Sequence, residues 1–134
     1  MRKRILLISD QNAPEHELNR ALRRVAGDFE IECASTRLEI LALPWPCLII
    51  LDLMLSSEPA AEVLGWLRNE PRYAGVPVFI LGSENVKREI TESLRLGANS
   101  CLLMDFAREQ VDPIAEGIAT YASLLPTPAF SASW

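Results

Sequence analysis

The chain is expected to fold as an α/β domain of five βα units, a parallel sheet with helices on both faces. Three observations carry that expectation. Short unbroken apolar runs such as Ile5–Ile8 and Cys47–Leu51 have the length of strands buried on both faces. Segments between the runs place apolar residues at helical spacing. The first, third, fourth and fifth runs stop at Asp10, Asp52, Gly82-Ser83 and Met104-Asp105, small or polar groups where an open α/β sheet gathers ligands. Right-handed crossovers then make the sheet parallel.

Arg4–Ile8 reads as the first strand and ends in Ser9-Asp10-Gln11-Asn12. Pro14, Glu15 and Glu17 suit a helix first turn, and Leu18, Ala21, Leu22 and Val25 form one apolar face that Gly27 closes. Phe29–Cys33 alternates with period two, as a half-buried edge strand does. Ser35 or Thr36 caps a short helix expected to turn Leu38, Leu41 and Ala42 inward, and Pro44-Trp45-Pro46 breaks it. The central run follows to Asp52. After the loop Ser56-Ser57-Glu58-Pro59, a third helix carries Ala60, Val63, Leu64 and Leu67, with Pro71 past its end. Val76–Leu81 is the fourth strand. A fourth helix over 85–96 is expected to carry Val86, Ile90 and Leu94 inward and to stop at Gly97. Ser100–Met104 is the fifth strand. The last helix, from 107, carries Val111, Ile114, Ala115, Ile118 and Ala122, with Pro113 marking a break or a late start.

At 134 residues the chain suits one domain with a real core, and 49% hydrophobic with 23% charged residues is ordinary globular composition. A net charge of −5 disfavours a nucleic-acid surface. Met1-Arg2-Lys3-Arg4 resembles the basic end of a signal peptide, but the apolar run behind it is too short for secretion or a membrane span. Cys33, Cys47 and Cys101 share no metal-ligand spacing and read as reduced residues of a cytoplasmic protein. His16 is the only histidine, which excludes a histidine metal cluster. Gln11-Asn12-Ala13-Pro14 offers no glycine for a phosphate loop, so an enzyme of another kind on this fold is disfavoured.

Asp52 admits a bland reading, as the cap of the following turn. Paired with Asp10 it has a chemical one. Carboxylates at the ends of neighbouring strands are expected side by side at one rim, exposed at a crevice, where they share a cation such as Mg²⁺. Such a pair also suits a carboxylate that accepts a phosphoryl group.

Over residues 3–122 the chain closely resembles the receiver domain of bacterial two-component response regulators. The resemblance rests on Leu51-Asp52-Leu53-Met54-Leu55, Glu62–Arg68, Val76–Leu81 and Leu96-Gly97-Ala98. It implies a flavodoxin-like (βα)5 doubly wound five-stranded parallel sheet of strand order 2-1-3-4-5. Residues 1–123 would form the receiver-like domain and 124–134 a proline-containing apolar tail. Asp52 aligns with the phosphoacceptor. Asp10 aligns with the direct metal ligand, and Met54 would supply a backbone carbonyl to the Mg²⁺. The other positions depart from the family: Ser9 stands for a second acid, and Gly82 for the threonine or serine after strand four, with Ser83 one residue late. Met104 stands for the lysine after strand five, Asp105 for the proline behind it, and Cys101 for an aromatic switch residue.

Two functions follow from the resemblance. One is a pseudo-receiver, a non-enzymatic signalling module acting by protein–protein interaction; Ser9, Gly82, Cys101 and Met104 favour it. The other is a phosphoacceptor phosphorylated on Asp52 by a histidine kinase with Mg²⁺, favoured by Asp10 and Asp52; with Ser9 in place of an acid, Mg²⁺ binding should be weak. The receiver unit would consume nearly all of the chain and leave no room in it for an output domain, as expected either of a stand-alone regulator or of a receiver cut from a longer protein. Partners would be the kinase or another signalling protein. A second copy could associate through the fourth helix, fifth strand and fifth helix, or through the tail. Leu124, Leu125, Phe130 and Trp134 are apolar enough to want burial, against the alternative of a frayed terminus.

Overall fold

The computed structural model describes residues 2–10, 16–82, 87–104 and 111–126. Its elements alternate: β1 (Lys3–Ile8), α1 (His16–Val25), β2 (Phe29–Ala34), α2 (Arg37–Ala42) and β3 (Leu48–Asp52). Then come α3 (Ala60–Asn69), β4 (Val78–Gly82), α4 (Lys87–Arg95), β5 (Ser100–Leu103) and α5 (Val111–Ser123). All neighbouring strands are parallel, in the order β2-β1-β3-β4-β5. The central strands β3 and β4 are buried at every residue, which explains their unbroken apolar runs.

The sheet separates two cores. On one face Ile5, Leu7, Leu48, Ile50, Phe79 and Leu81 meet Leu18 and Leu22 of α1 and Ala115 and Ile118 of α5. On the other, Leu6, Ile8, Ile49, Leu51, Val78 and Ile80 meet Ile40 of α2 and Val63, Leu64 and Leu67 of α3. The basic N-terminus has structural work in this frame. Lys3 Nζ donates to the carbonyls of Ala122 and Ser123, at 3.3 and 2.8 Å, capping α5 with a positive charge. Arg2 donates to the carbonyls of Gly27 and Phe29 beyond the end of α1.

Several local expectations are corrected. α1 ends at Val25, with Gly27 in the turn that follows it as expected, though among the described residues only Gly97 has positive φ, at 109°. There the Gly97 N–H donates to Leu94 O and the Ala98 N–H to Ser93 O, the paired bonds of a Schellman stop for α4. In α2 the inward residue is Ile40, with Leu43 half-buried behind it, while Leu38 is 80% exposed and Leu41 and Ala42 are exposed. The expected spacing of three is present but displaced by two residues. A six-residue helix is too short for its pattern to set its phase.

In α4 the buried residue is Ser93, Ile90 is half-buried, and Leu94 is exposed; Val86 lies outside the described residues. α4 packs on α3, β4 and β5, and a small side chain allows that approach where leucine would not. α5 is described from Val111, with Pro113 in the first described turn; the expected start at 107 lies outside the described residues. Cys47 is buried and Cys33 and Cys101 half-buried; all three are free, and burial pushes each thiol pKa up. Beyond α5, Leu124 is exposed and Leu125 packs partly on the core, while Phe130 and Trp134 lie outside the described residues.

Thr36 caps α2: its Oγ1 accepts the Glu39 N–H at 3.2 Å, while Glu39 Oε1 takes the Ser35 hydroxyl and N–H at 2.7 and 2.9 Å. Those bonds, the Ser35 hydroxyl first, hold Glu39 below the ordinary carboxylate range. A depressed folded pKa contributes stability above the unfolded value, and that contribution disappears as pH falls through the folded value. Glu39→Gln should therefore cost stability at neutral pH and nothing in acid. Urea unfolding of both proteins at the two pH values checks this; a cost independent of pH refutes it.

Candidate functional site

The carboxyl ends of β1, β3 and β4 lie side by side. Ile8 pairs with Leu51 and Asp52 with Leu81, so one further step of the β1–β3 register brings Ser9 opposite Asp52. Asp10 follows directly. The site is therefore assembled by strand order, with residues distant in sequence brought to one rim of the sheet.

Asp52 is 1% exposed, which corrects the expectation of a carboxylate open at a crevice. The reason is the chain that follows it, which folds back: the Met54 N–H donates to Asp52 Oδ1 at 2.8 Å and the Leu55 N–H to the Asp52 carbonyl at 3.3 Å. Two residues on, the Ser56 N–H lies 3.3 and 3.2 Å from Asp10 Oδ1 and Oδ2. Asp10 and Asp52 thus each take an N–H of the same turn, and in this sense the structure brings them together.

Ser9 is buried, with its N–H on the Ala34 carbonyl at 3.0 Å and its Oγ without a hydrogen-bond partner among the described residues. A buried hydroxyl of that kind beside two carboxylates suits a site meant for one more polar group. Asp10, Asp52 and the Met54 carbonyl would offer oxygen donors only, the chemistry that Mg²⁺ requires. Among the described residues, no group of three or more His, Cys, Asp and Glu side chains gathers as a metal site.

Gly82 and Met104 lie at the same end of the sheet, and neither carries a charge. Gly82 is the last residue of β4, buried, and its carbonyl accepts the Met104 N–H at 2.9 Å. Met104 is 4% exposed and belongs to the core shared with Leu81, Ala115 and Ile118. Cys101 sits half-buried on β5 beside Ile80. Ser83 and Asp105 lie outside the described residues.

Two basic residues outside the candidate positions tie distant segments together, Arg37 at the Asp52 rim of the sheet and Arg68 at the opposite rim, before the starts of β4 and β5. Arg37, at the start of α2, holds Glu58 through Nε–Oε2 at 2.9 Å and Nη2–Oε1 at 2.6 Å, and lies over the Trp66 ring at 5.4 Å. Arg68 near the end of α3 donates to the carbonyls of Ala74, Val76 and Gly97 and to Asn99 Oδ1. The only signal available in sequence was a single arginine near the end of a mostly apolar helix.

No family model matches the chain. It is 25% identical over 129 residues to response regulator Rcp1 of Synechocystis sp., covering 89% of this chain and 88% of Rcp1. It is 23% identical over 116 residues to response regulator Rre1 of the same organism, covering 84% of this chain and spanning 50% of Rre1. Among solved structures, the phosphorylated cyanobacterial phytochrome response regulator RcpA superposes with a TM-score of 0.78 at 24% identity, covering 95% of this chain and all of that one. The Mn²⁺-bound form of Rcp1 superposes with a TM-score of 0.76 at 24% identity, over 94% of this chain and 99% of that one. A receiver domain from Rhodospirillum rubrum gives 0.76 at 21% identity. In sequence the chain is thus similar to response regulators over most of its length, and its fold is that of their receiver domains.

Proposed function

We propose that the chain is a receiver-type module of two-component signalling that acts in the cytosol by protein–protein contact, with phosphorylation uncoupled from any switch. The observation that carries this reading is Met104. Where the resemblance places a lysine that would bond a phosphoryl oxygen, this chain has an uncharged thioether packed into the core. A charged hydrogen bond of that kind contributes about 1.5–3 kcal/mol, and its absence leaves a modified Asp52 with little hold on β5. Gly82 has no hydroxyl to draw the β4 end inward, and Cys101 has no ring to rotate. Partners on this reading are a histidine kinase or another signalling protein. Exposed Leu94, Leu103 and Tyr121 support contact through α4, β5 and α5. No helix among the described residues is long and apolar enough to cross a membrane.

A second reading, a working phosphoacceptor, is favoured by the turn that receives both carboxylates. Asp10, Asp52 and the Met54 carbonyl would hold Mg²⁺, which supplies positive charge beside an incoming phosphoryl group, and Asp52 would accept that group. Under either reading, cation binding is expected to be weak, because Ser9 contributes no charge. Calorimetry with Mg²⁺ should show Asp52→Asn weakening it a further tenfold or so. Tight binding indifferent to Asp52→Asn would place the cation elsewhere. Amide shifts on adding beryllofluoride with Mg²⁺ separate the two functions: shifts confined to the Asp52 turn support the first, and shifts running through α4 and β5 the second.

A further inference from the structure

The turn after Asp52 is gripped from two sides. From within, Met54 and Ser56 offer their N–H groups to Asp52 and Asp10. From without, the next two residues are tied to a different part of the chain. Ser57 Oγ donates to the Ser35 carbonyl at 2.6 Å, and Glu58 takes the fork of Arg37. Arg37 is itself fixed, because the capped start of α2 sets its backbone and the Trp66 ring lies under its guanidinium.

A side-chain ligand can adjust its rotamer to a cation. A backbone carbonyl cannot, so the Met54 carbonyl sits wherever this turn sits. A small divalent ion demands near-ideal oxygen positions, and whatever holds the turn therefore bears on affinity. The Arg37–Glu58 pair is partly exposed, with side chains 39% and 22% accessible, so its loss has limited effect on global stability. An effect on the turn can then be read separately from unfolding.

We propose that Arg37 and Glu58 are positioning residues for the Asp10–Asp52 site: their ion pair, with the Ser57–Ser35 hydrogen bond, holds the Leu53–Ser56 turn where the Met54 carbonyl and the two carboxylates converge on a divalent cation. The inference rests on the cation site proposed above. Its test is Mn²⁺ titration of the full chain by electron paramagnetic resonance, with amide exchange at Met54 and Ser56 measured on the same proteins. The variants are Arg37→Gln, Glu58→Gln, the exchanged pair Arg37→Glu with Glu58→Arg, and Asp52→Asn.

Each single substitution of the pair should weaken Mn²⁺ about tenfold and accelerate exchange at Met54 and Ser56, while β3 amides stay protected. The exchanged pair should recover most of the affinity. If Asp52→Asn weakens Mn²⁺ binding but Arg37→Gln leaves affinity unchanged, the positioning role is overturned alone. If the wild type binds no Mn²⁺, or binds it regardless of Asp52→Asn, the cation site and the positioning role fall together.

Discussion

Arg68→Met is expected to destabilise the domain by about 3 kcal/mol, lowering its melting temperature by roughly 10 °C. The guanidinium joins the end of α3 to the connection before β4 and to the turn between α4 and β5. It does so through Nη1 to Val76 O at 2.8 Å, Nη2 to Gly97 O at 2.8 Å and Nη2 to Asn99 Oδ1 at 2.7 Å. Asn99 Oδ1 also accepts the Val78 N–H, so the same cluster anchors the start of β4. Burial lowers the arginine's pKa, and among the described residues no carboxylate pairs with it; carbonyl oxygens alone stabilise the charge. Methionine keeps the stem's packing and removes every donor, leaving several carbonyls to water or to nothing. Lysine keeps the charge but cannot reproduce the fork, so Arg68→Lys should recover less than half of the loss. Denaturant midpoints of the three proteins decide the matter, and a loss below about 1 kcal/mol for Arg68→Met would mean that water replaces the cluster freely.

Met104→Lys combined with Gly82→Thr is expected to do two opposite things. Alone, Met104→Lys should cost about 3 kcal/mol, because it places an ammonium where a methionine packs among Leu81, Ala115 and Ile118. With Gly82→Thr and in the presence of beryllofluoride and Mg²⁺, the lysine gains an anionic partner at the rim, and part of that cost should return. Amide shifts in α4 and β5 should then grow several-fold over the wild type. Small phosphodonors should likewise leave more stable phosphoprotein in the double variant than in the wild type. A wild type that already shifts strongly along α4 and β5 would overturn the uncoupled reading, and a double variant no more responsive than the wild type would show that these two positions are not what limits the response.

The contrast between what the sequence shows and what it hides follows from the range of the interactions involved. The unbroken run before Asp52, the alternation of Phe29–Cys33 and the apolar face of Leu18, Ala21 and Leu22 reflect burial, which acts on each residue separately. They therefore identify elements and their order along the chain. The strand order 2-1-3-4-5 came from the family resemblance, and periodicity alone does not contain it. Gly97 was legible as a stop because a left-handed backbone selects glycine locally.

Other features depended on partners far along the chain. α2 turns Ile40 inward and α4 turns Ser93, since one or two helical turns fit several phases and the neighbouring sheet chooses among them. Asp52 is buried by the turn that folds over it, and Met104 by the core it joins, so residue type alone misjudged the exposure of the first and could not place the second. Arg37 and Glu58 carry no motif, and the Glu62–Arg68 segment does not disclose what Arg68 binds, because a salt bridge or a carbonyl cluster needs only geometry. The sequence by itself determined which segments are strands and helices and which carboxylates end them. The tertiary structure decided which side chains meet at that rim, because hydrogen bonds between distant segments form only after the sheet has set their distance.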